Sequence, residues 1–288
     1  AIADCIRGGW VVLGPKSQEF EEKFAEYVGS DYAVFVDSGT SALFLALQYL
    51  IKHKKLSNNS PFEVPSLTFT STAEVVVNSG LRVEFGDVDK ETFCLETPHL
   101  DSLPVHLTGN RAKDGALIYD SAHRIEKDDV KGSCLTLWCY TFYATKNLTT
   151  VQGGMIATND KVAYEWLKMA RDHGLDMGTK ERYTGKYKQY DVKFVGYRMK
   201  GDDLRAVIGL EQLKKLPEMT EKRNAIVKRY NESFGLNRIG NHVYPILVND
   251  RDSFMQKMMD AEMQCTVHFK PLHLMTGYKE YHNGSGLP

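Results

Sequence analysis

The chain has 288 residues, is 42% hydrophobic, and balances 36 basic against 37 acidic side chains. That balance excludes a global attraction to nucleic acid or to a membrane surface, and no apolar run reaches the ~20 residues of a membrane span. The length suits one large domain with a smaller one. Nothing at the start resembles a signal peptide. The five scattered cysteines (Cys5, Cys94, Cys134, Cys139, Cys265) read as buried free thiols, so a cytoplasmic protein is expected.

In chain order, Arg7-Gly8-Gly9-Trp10 and Leu13-Gly14-Pro15 form a glycine-rich lead-in. The spacing of Phe20, Phe24, Tyr27 and Val28 predicts a helix from Ser17 that Gly29 ends. Tyr32 to Val36 reads as a strand. It runs into Asp37-Ser38-Gly39-Thr40-Ser41 and a helix with Leu43, Leu47 and Leu50 on its apolar side. Such a turn offers N–H groups and a positive helix end to a phosphate, although Ser38 or Thr40 also suits a plain helix cap. Phe62 to Pro65 and Leu81 to Phe85 read as strands around a helix from Thr70 to Ser79, closed by Gly80. Phe69 stands just past a strand end, where open α/β sheets present ligand-binding groups, or else fills the core. Ala116 to Tyr119 is a strand ending on Asp120-Ser121-Ala122-His123. An aspartate there is a turn former or an acceptor for a cationic ring nitrogen.

Cys134 to Tyr140 and Gly153 to Thr158 are two further strands, with Lys146 between them among Thr141, Phe142, Thr145 and Asn147. Burying an ammonium in apolar surroundings is costly unless its charge is taken up. A lysine that instead gives up its proton can form an imine with a carbonyl cofactor, as in pyridoxal phosphate (PLP) chemistry. The alternative is an exposed lysine in a hairpin turn. Asp160 to His173 predicts a helix with Val162, Trp166, Leu167 and Ala170 inside and Gly174 as its C-cap. Residues 175–200 read as a basic, aromatic loop (Lys180, Arg182, Tyr183, Lys186, Tyr187, Lys188, Tyr190, Lys193), either solvated or holding a phosphorylated substrate. A helix over Asp202 to Leu216 follows, and Pro217 starts another. The tail alternates strand (Val243 to Val248), helix (Asp252 to Glu262) and strand (Cys265 to Phe269).

This alternation predicts an α/β sheet with helices on both faces, in a large domain over 1–216 followed by a smaller one over 217–288. Strand ends collect the Ser38 to Ser41 turn, Phe69, Asp120 and Lys146. PLP asks for such a set: donors for its phosphate, a flat partner for its ring, a carboxylate for its pyridinium and a lysine for its aldehyde. His268 and His273 are five apart without cysteine or acidic ligands around them, so no metal site is expected.

These residues resemble the DegT/DnrJ/EryC1/StrS aminotransferases over nearly the whole chain. The likeness runs through Gly14-Pro15, Phe20-Glu21, Ser38-Gly39-Thr40-Ser41-Ala42-Leu43, Val64-Pro65, Thr68-Phe69 and Phe85-Gly86-Asp87-Val88-Asp89. It continues through Asp120-Ser121-Ala122-His123, Ala144-Thr145-Lys146-Asn147, Gly153-Gly154, Arg171-Asp172-His173-Gly174 and His268-Phe269-Lys270-Pro271-Leu272-His273.

The resemblance implies fold type I, with a mostly parallel seven-stranded sheet and a smaller α+β domain at the C-terminus. It implies a homodimer that shares its active sites, PLP as cofactor, and transamination of a nucleotide-linked keto-sugar by an amino acid donor, glutamate. Amination of a cyclitol and a non-catalytic PLP-binding or regulatory protein are the alternatives. Lys146 would bind the cofactor and shuttle protons, Asp120 would hold the pyridine nitrogen and His123 the phenolic oxygen. Phe69 and Ala122 would flank the ring. Gly39, Thr40, Ser41 and Thr141 would hold the phosphate, with Trp10 and His268 toward the substrate; His268 reads equally as a packed strand-end histidine. Three departures stand out. Gln152 replaces a usual glutamate, Lys200 replaces an asparagine that in relatives reaches the cofactor phosphate of the partner subunit and is expected to ion-pair with that phosphate instead, and the chain stops at Pro288 where relatives continue, which suggests a shortened small domain.

Overall fold

The computed structural model describes residues 1–54, 56–178, 189–281 and 287. Helix α1 (Ile2–Arg7) buries no residue and had no periodic signal. Helix α2 (Pro15–Val28) opens on a proline, which has no N–H to leave unpaired, and ends on Gly29 at φ 76°, a left-handed value that glycine adopts without strain. Strand β1 (Tyr32–Val36), helix α3 (Gly39–Lys54), β2 (Pro61–Pro65), α4 (Thr70–Asn78) and β3 (Arg82–Gly86) then alternate. Strands β4 (Ile118–Asp120), β5 (Leu137–Thr141) and β6 (Gly154–Thr158) follow, with α5 (Lys161–Ala170), the long α6 (Asp203–Phe234) and α7 (Arg251–Asp260).

One sheet has the order β1-β6-β5-β4, and β2 pairs with β3 in another. Strand β6 runs antiparallel to both β1 and β5, while β4–β5 and β2–β3 are parallel. The extended segment 101–106 bonds to both sheets. Leu103 N–H donates to the Glu63 carbonyl at 2.8 Å, and Asp120 N–H donates to the Pro104 carbonyl at 3.0 Å.

Side chains alternate across this sheet with the period of two that a strand imposes. Val34 and Val36 of β1, Leu137 and Cys139 of β5 and Ile156 of β6 join the core under α3, α4 and α5. Ala33 and Phe35, Trp138 and Tyr140, and Met155 and Ala157 face the other way, into a core with α2 and α6. The chain is therefore three layers deep, helices over sheet over helices. Glu21 and Arg171, both from motifs singled out in the sequence, meet in the buried part of this frame. Arg171 pairs with Glu21 and donates to the Phe35 carbonyl at 2.6 Å, and Glu21 accepts the Phe35 N–H at 2.8 Å. Their role is to tie α2, β1 and the end of α5 together.

Several expectations are corrected. Val162 is exposed, because in a helix capped by the Asp160 side chain the inward positions are Ala163, Trp166, Leu167 and Ala170. That helix ends at Ala170 with Arg171 as its C-cap, and Gly174 lies beyond. Pro217 does not start a new helix: α6 runs through it, since a proline ring holds φ near the helical value and costs the ladder one donor. The tail segments 243–248 and 265–269 form no strand, because neither has a ladder partner among the described residues. All five cysteines are free, but only Cys94 and Cys139 are buried, and Cys134 is exposed because β5 begins after it, at Leu137. Lys180, Arg182, Tyr183, Lys186, Tyr187 and Lys188 lie outside the described residues.

Candidate active site

At the end of β4, Asp120 is 4% exposed. Its Oδ2 accepts from Thr72 Oγ1 at 3.0 Å and its Oδ1 from the Ala122 N–H at 2.9 Å, both neutral donors. Burial pushes its carboxyl up from the usual range, against the pull of those hydrogen bonds and of Lys146. Such a carboxylate is built to accept from a cationic N–H.

Lys146 sits in the turn between β5 and β6 and is half-buried. Burial pushes its ammonium below the ordinary lysine range, and the Asp120 charge opposes that shift. The two groups therefore share one space, brought there from strand ends 26 positions apart in the chain. His123 is buried, and its Nδ1 accepts the Thr108 N–H at 3.3 Å, which leaves Nε2 as the N–H nitrogen of the neutral ring. Burial holds His123 well below its ordinary range, helped by Lys146, His242 and His268.

The turn after β1 is shaped by close approach. A Cβ on Gly39 would lie 2.5 Å from Thr141 Cβ, and one on Gly154 would lie 2.3 Å from the Ser38 carbonyl. Glycine at both places lets the turn, β5 and β6 touch. Ser38 Oγ caps α3 by accepting the Ser41 N–H at 3.1 Å and donates to Ser41 Oγ at 2.9 Å. The plain cap reading of Ser38 is thus correct, and Thr141 stands against the first turn of α3 at Gly39.

Phe69 is the N-cap residue of α4 and is 56% exposed, a flat apolar face at the sheet end with Phe269 6.0 Å away. Thr72, one turn further along α4, is the Asp120 donor that the sequence reading missed. The tail returns to this place. The Leu272 N–H donates to the Ser66 carbonyl at 2.8 Å, and the Phe269 ring stacks 6.3 Å from His123. His268 is thereby brought close enough for the Lys146 charge to lower its pKa, after burial. His242, also missed, lies with its ring 4.3 Å from that of His123. Its basicity is pushed down to about 3 by burial and then by Lys146, Arg223 and His268.

Lys200 makes a 2.7 Å ion pair with Asp172, beside the end of β1. Trp10 lies against Gly14, where an added Cβ would overlap its indole. Gln152 is exposed. Among the described residues no cluster of histidine, cysteine and acidic side chains is arranged to hold a metal ion.

A buried acid with neutral partners, a lysine of lowered basicity and a glycine-built donor turn, set at strand ends of a three-layer α/β fold, fit PLP and define a PLP-dependent transferase. A profile of the DegT/DnrJ/EryC1/StrS aminotransferase family matches residues 1–287, and the chain belongs to that family. It is 31% identical to the spore coat polysaccharide biosynthesis protein SpsC of Bacillus subtilis, covering 97% of this chain and 83% of SpsC. It is 26% identical to the UDP-4-amino-4-deoxy-L-arabinose–oxoglutarate aminotransferase of Shewanella sediminis, over 97% of this chain and 82% of that protein. A solved DegT DnrJ EryC1 StrS aminotransferase from Brucella abortus superposes with a TM-score of 0.84 at 28% identity, over 100% of this chain and 85% of its own. The protein is a PLP-dependent aminotransferase.

Proposed function

We propose that the protein transfers the amino group of glutamate to a nucleotide-linked keto-sugar. The observation that carries this reading is that Lys146 and Asp120 act on each other's charge at one site, the lysine made less basic by burial and the acid buried with neutral hydrogen-bond donors. PLP supplies an aldehyde for amines and an electron-withdrawing ring once its nitrogen is protonated. In this reading Asp120 keeps that nitrogen protonated, braced by Thr72 and the Ala122 N–H. His123 Nε2–H donates to the phenolic oxygen. Gly39, Thr40, Ser41 and Thr141 would hold the phosphate, and Phe69 and Ala122 would flank the ring. Lys146 Nζ, with its proton loosened by burial, takes the α-proton of the amino acid and returns it on the carbonyl side. His268 lines the substrate side.

The Shewanella relative is named for a UDP-linked amino sugar and for oxoglutarate, the keto acid left by glutamate, which supports both substrate classes. Within the same reading the extended segment 101–106 counts as the strand that makes the sheet seven-stranded, residues 217–288 belong to a smaller domain, and the enzyme works as a homodimer.

The test is the absorption of the PLP-loaded protein. Glutamate should convert the visible band to the near-ultraviolet band of pyridoxamine phosphate and release 2-oxoglutarate, and a keto-sugar linked to UDP, dTDP or GDP should then restore it. A loaded wild type inert to glutamate would refute the reading.

A further inference from the structure

The hydrogen bonds beside Lys146 determine which nitrogen of His242 carries the proton. Asn241 Nδ2 lies 2.9 Å from Glu126 Oε1 and 3.0 Å from Asn224 Oδ1. A carboxylate oxygen accepts, so the side of Asn241 facing Glu126 is its NH₂ group. The Asn241 oxygen is thereby turned to Asn147 and accepts from Asn147 Nδ2 at 3.3 Å. That presents the Asn147 oxygen to His242 Nδ1, 2.8 Å away. An amide oxygen cannot donate, so Nδ1 carries the hydrogen. Neutral imidazole has one N–H, and Nε2 is left as a bare lone pair. Asn147 and Asn241 are both buried, which keeps water from loosening the relay. His242 itself is half-buried, and its Nε2 makes no hydrogen bond among the described residues.

An acceptor of this kind is selective by chemistry. It repels a carboxylate, a phosphate or a ketone oxygen, all of which are acceptors, and takes only an O–H or N–H. Of the two substrates, glutamate commits its only N–H group to the cofactor aldehyde and otherwise brings carboxylates, whereas the sugar ring brings hydroxyls. We propose that His242 Nε2 accepts a hydrogen bond from a ring hydroxyl of the keto-sugar as it stands beside Lys146, and that Glu126, Asn241 and Asn147 are positioning residues that hold His242 in this tautomer. The proposal rests on the keto-sugar reading above.

The tautomer is read directly on the PLP-loaded protein with ¹⁵N-labelled histidine, using two-bond ¹H–¹⁵N correlations assigned through His242→Phe. We expect the Nδ1–H pattern. Asn241→Leu should shift His242 toward Nε2–H, whereas Glu126→Gln, whose amide oxygen also accepts, should keep the wild-type pattern and folds without loss of a core contact. A wild type showing Nε2–H overturns the proposal. Kinetically, His242→Phe keeps an aromatic ring over His123 and removes the acceptor. Its kcat/KM for the best acceptor in a panel of UDP-, dTDP- and GDP-linked keto-sugars should fall on the order of 10–100-fold, and its glutamate half-reaction far less. An equal loss in both half-reactions, or no loss in either, sinks the role in sugar binding alone. A wild type inert to glutamate or to every acceptor sinks the transaminase reading and this proposal with it.

Discussion

Between Pro15 and Ala170 the apolar stripes of the helices are covered: α2, α3, α4 and α5 all bury side chains against the sheet. After Gly235 the same kinds of residue stay uncovered. Helix α7 buries none, and Leu247, Met259 and Met263 are exposed. The tail is nonetheless fixed at points, where His242, Phe269 and Leu272 return to the active-site end of the sheet. Apolar patterning predicts structure where a neighbouring layer exists to receive it. Without that layer, the tail is held by a few polar and ring contacts at the site.

The sharpest way to break this comparison is at the chemistry. Lys146→Ala should lower the glutamate half-reaction on the order of 10⁴-fold or more, with a midpoint of denaturation equal to or above wild type, since a poorly solvated ammonium is removed. Next, Phe20→Ala in the core under α2 should cost about 3–5 kcal/mol in urea unfolding, against less than about 0.5 kcal/mol for Met259→Ala on α7. Equal costs would mean the tail is as well packed as the sheet. Asp120→Asn should slow the half-reaction about 100-fold. The sign of its pH effect is fixed: the Asp120 charge raises the Lys146 pKa, so in the apo-protein its removal should move the onset of Lys146 labelling by an amine-directed reagent to lower pH. A shift to higher pH would contradict the geometry. Smallest, Gly39→Ala forces a Cβ onto Thr141 and should weaken PLP binding about tenfold, read by fluorescence titration.

The sequence made β1 to β6 and α2 to α5 legible because period-two and helical patterns, with glycine and proline at the ends, are local signals. The order of turn, aromatic, acid and lysine was legible for the same reason, since each stands next to its own strand end. Thr72 and His242 were not. Thr72 meets Asp120 across 48 positions and His242 meets Asn147 across 95, and no local pattern encodes either contact. Pro217 misled because proline usually marks a helix start or stop, whereas in α6 it directly follows the buried Leu213 and Leu216, which anchor the helix just ahead of the missing donor. The tail strands misled because a β-rich run specifies a strand only in company.

Asp203 accepts the backbone N–H groups of Gly14, Lys16 and Ser17 and the Ser17 hydroxyl, so the first turn of α2 is capped by a side chain from the start of α6. The separation is 186 residues for Ser17, and β1, next in line, finds its strand partner in β6, Tyr32 opposite Thr158. On the ribosome the N-terminal part of this enzyme therefore emerges first and is finished late. Its strand waits exposed for β6 and its helix start waits for Asp203, so the nascent chain must carry an unpaired edge until β6 has been made.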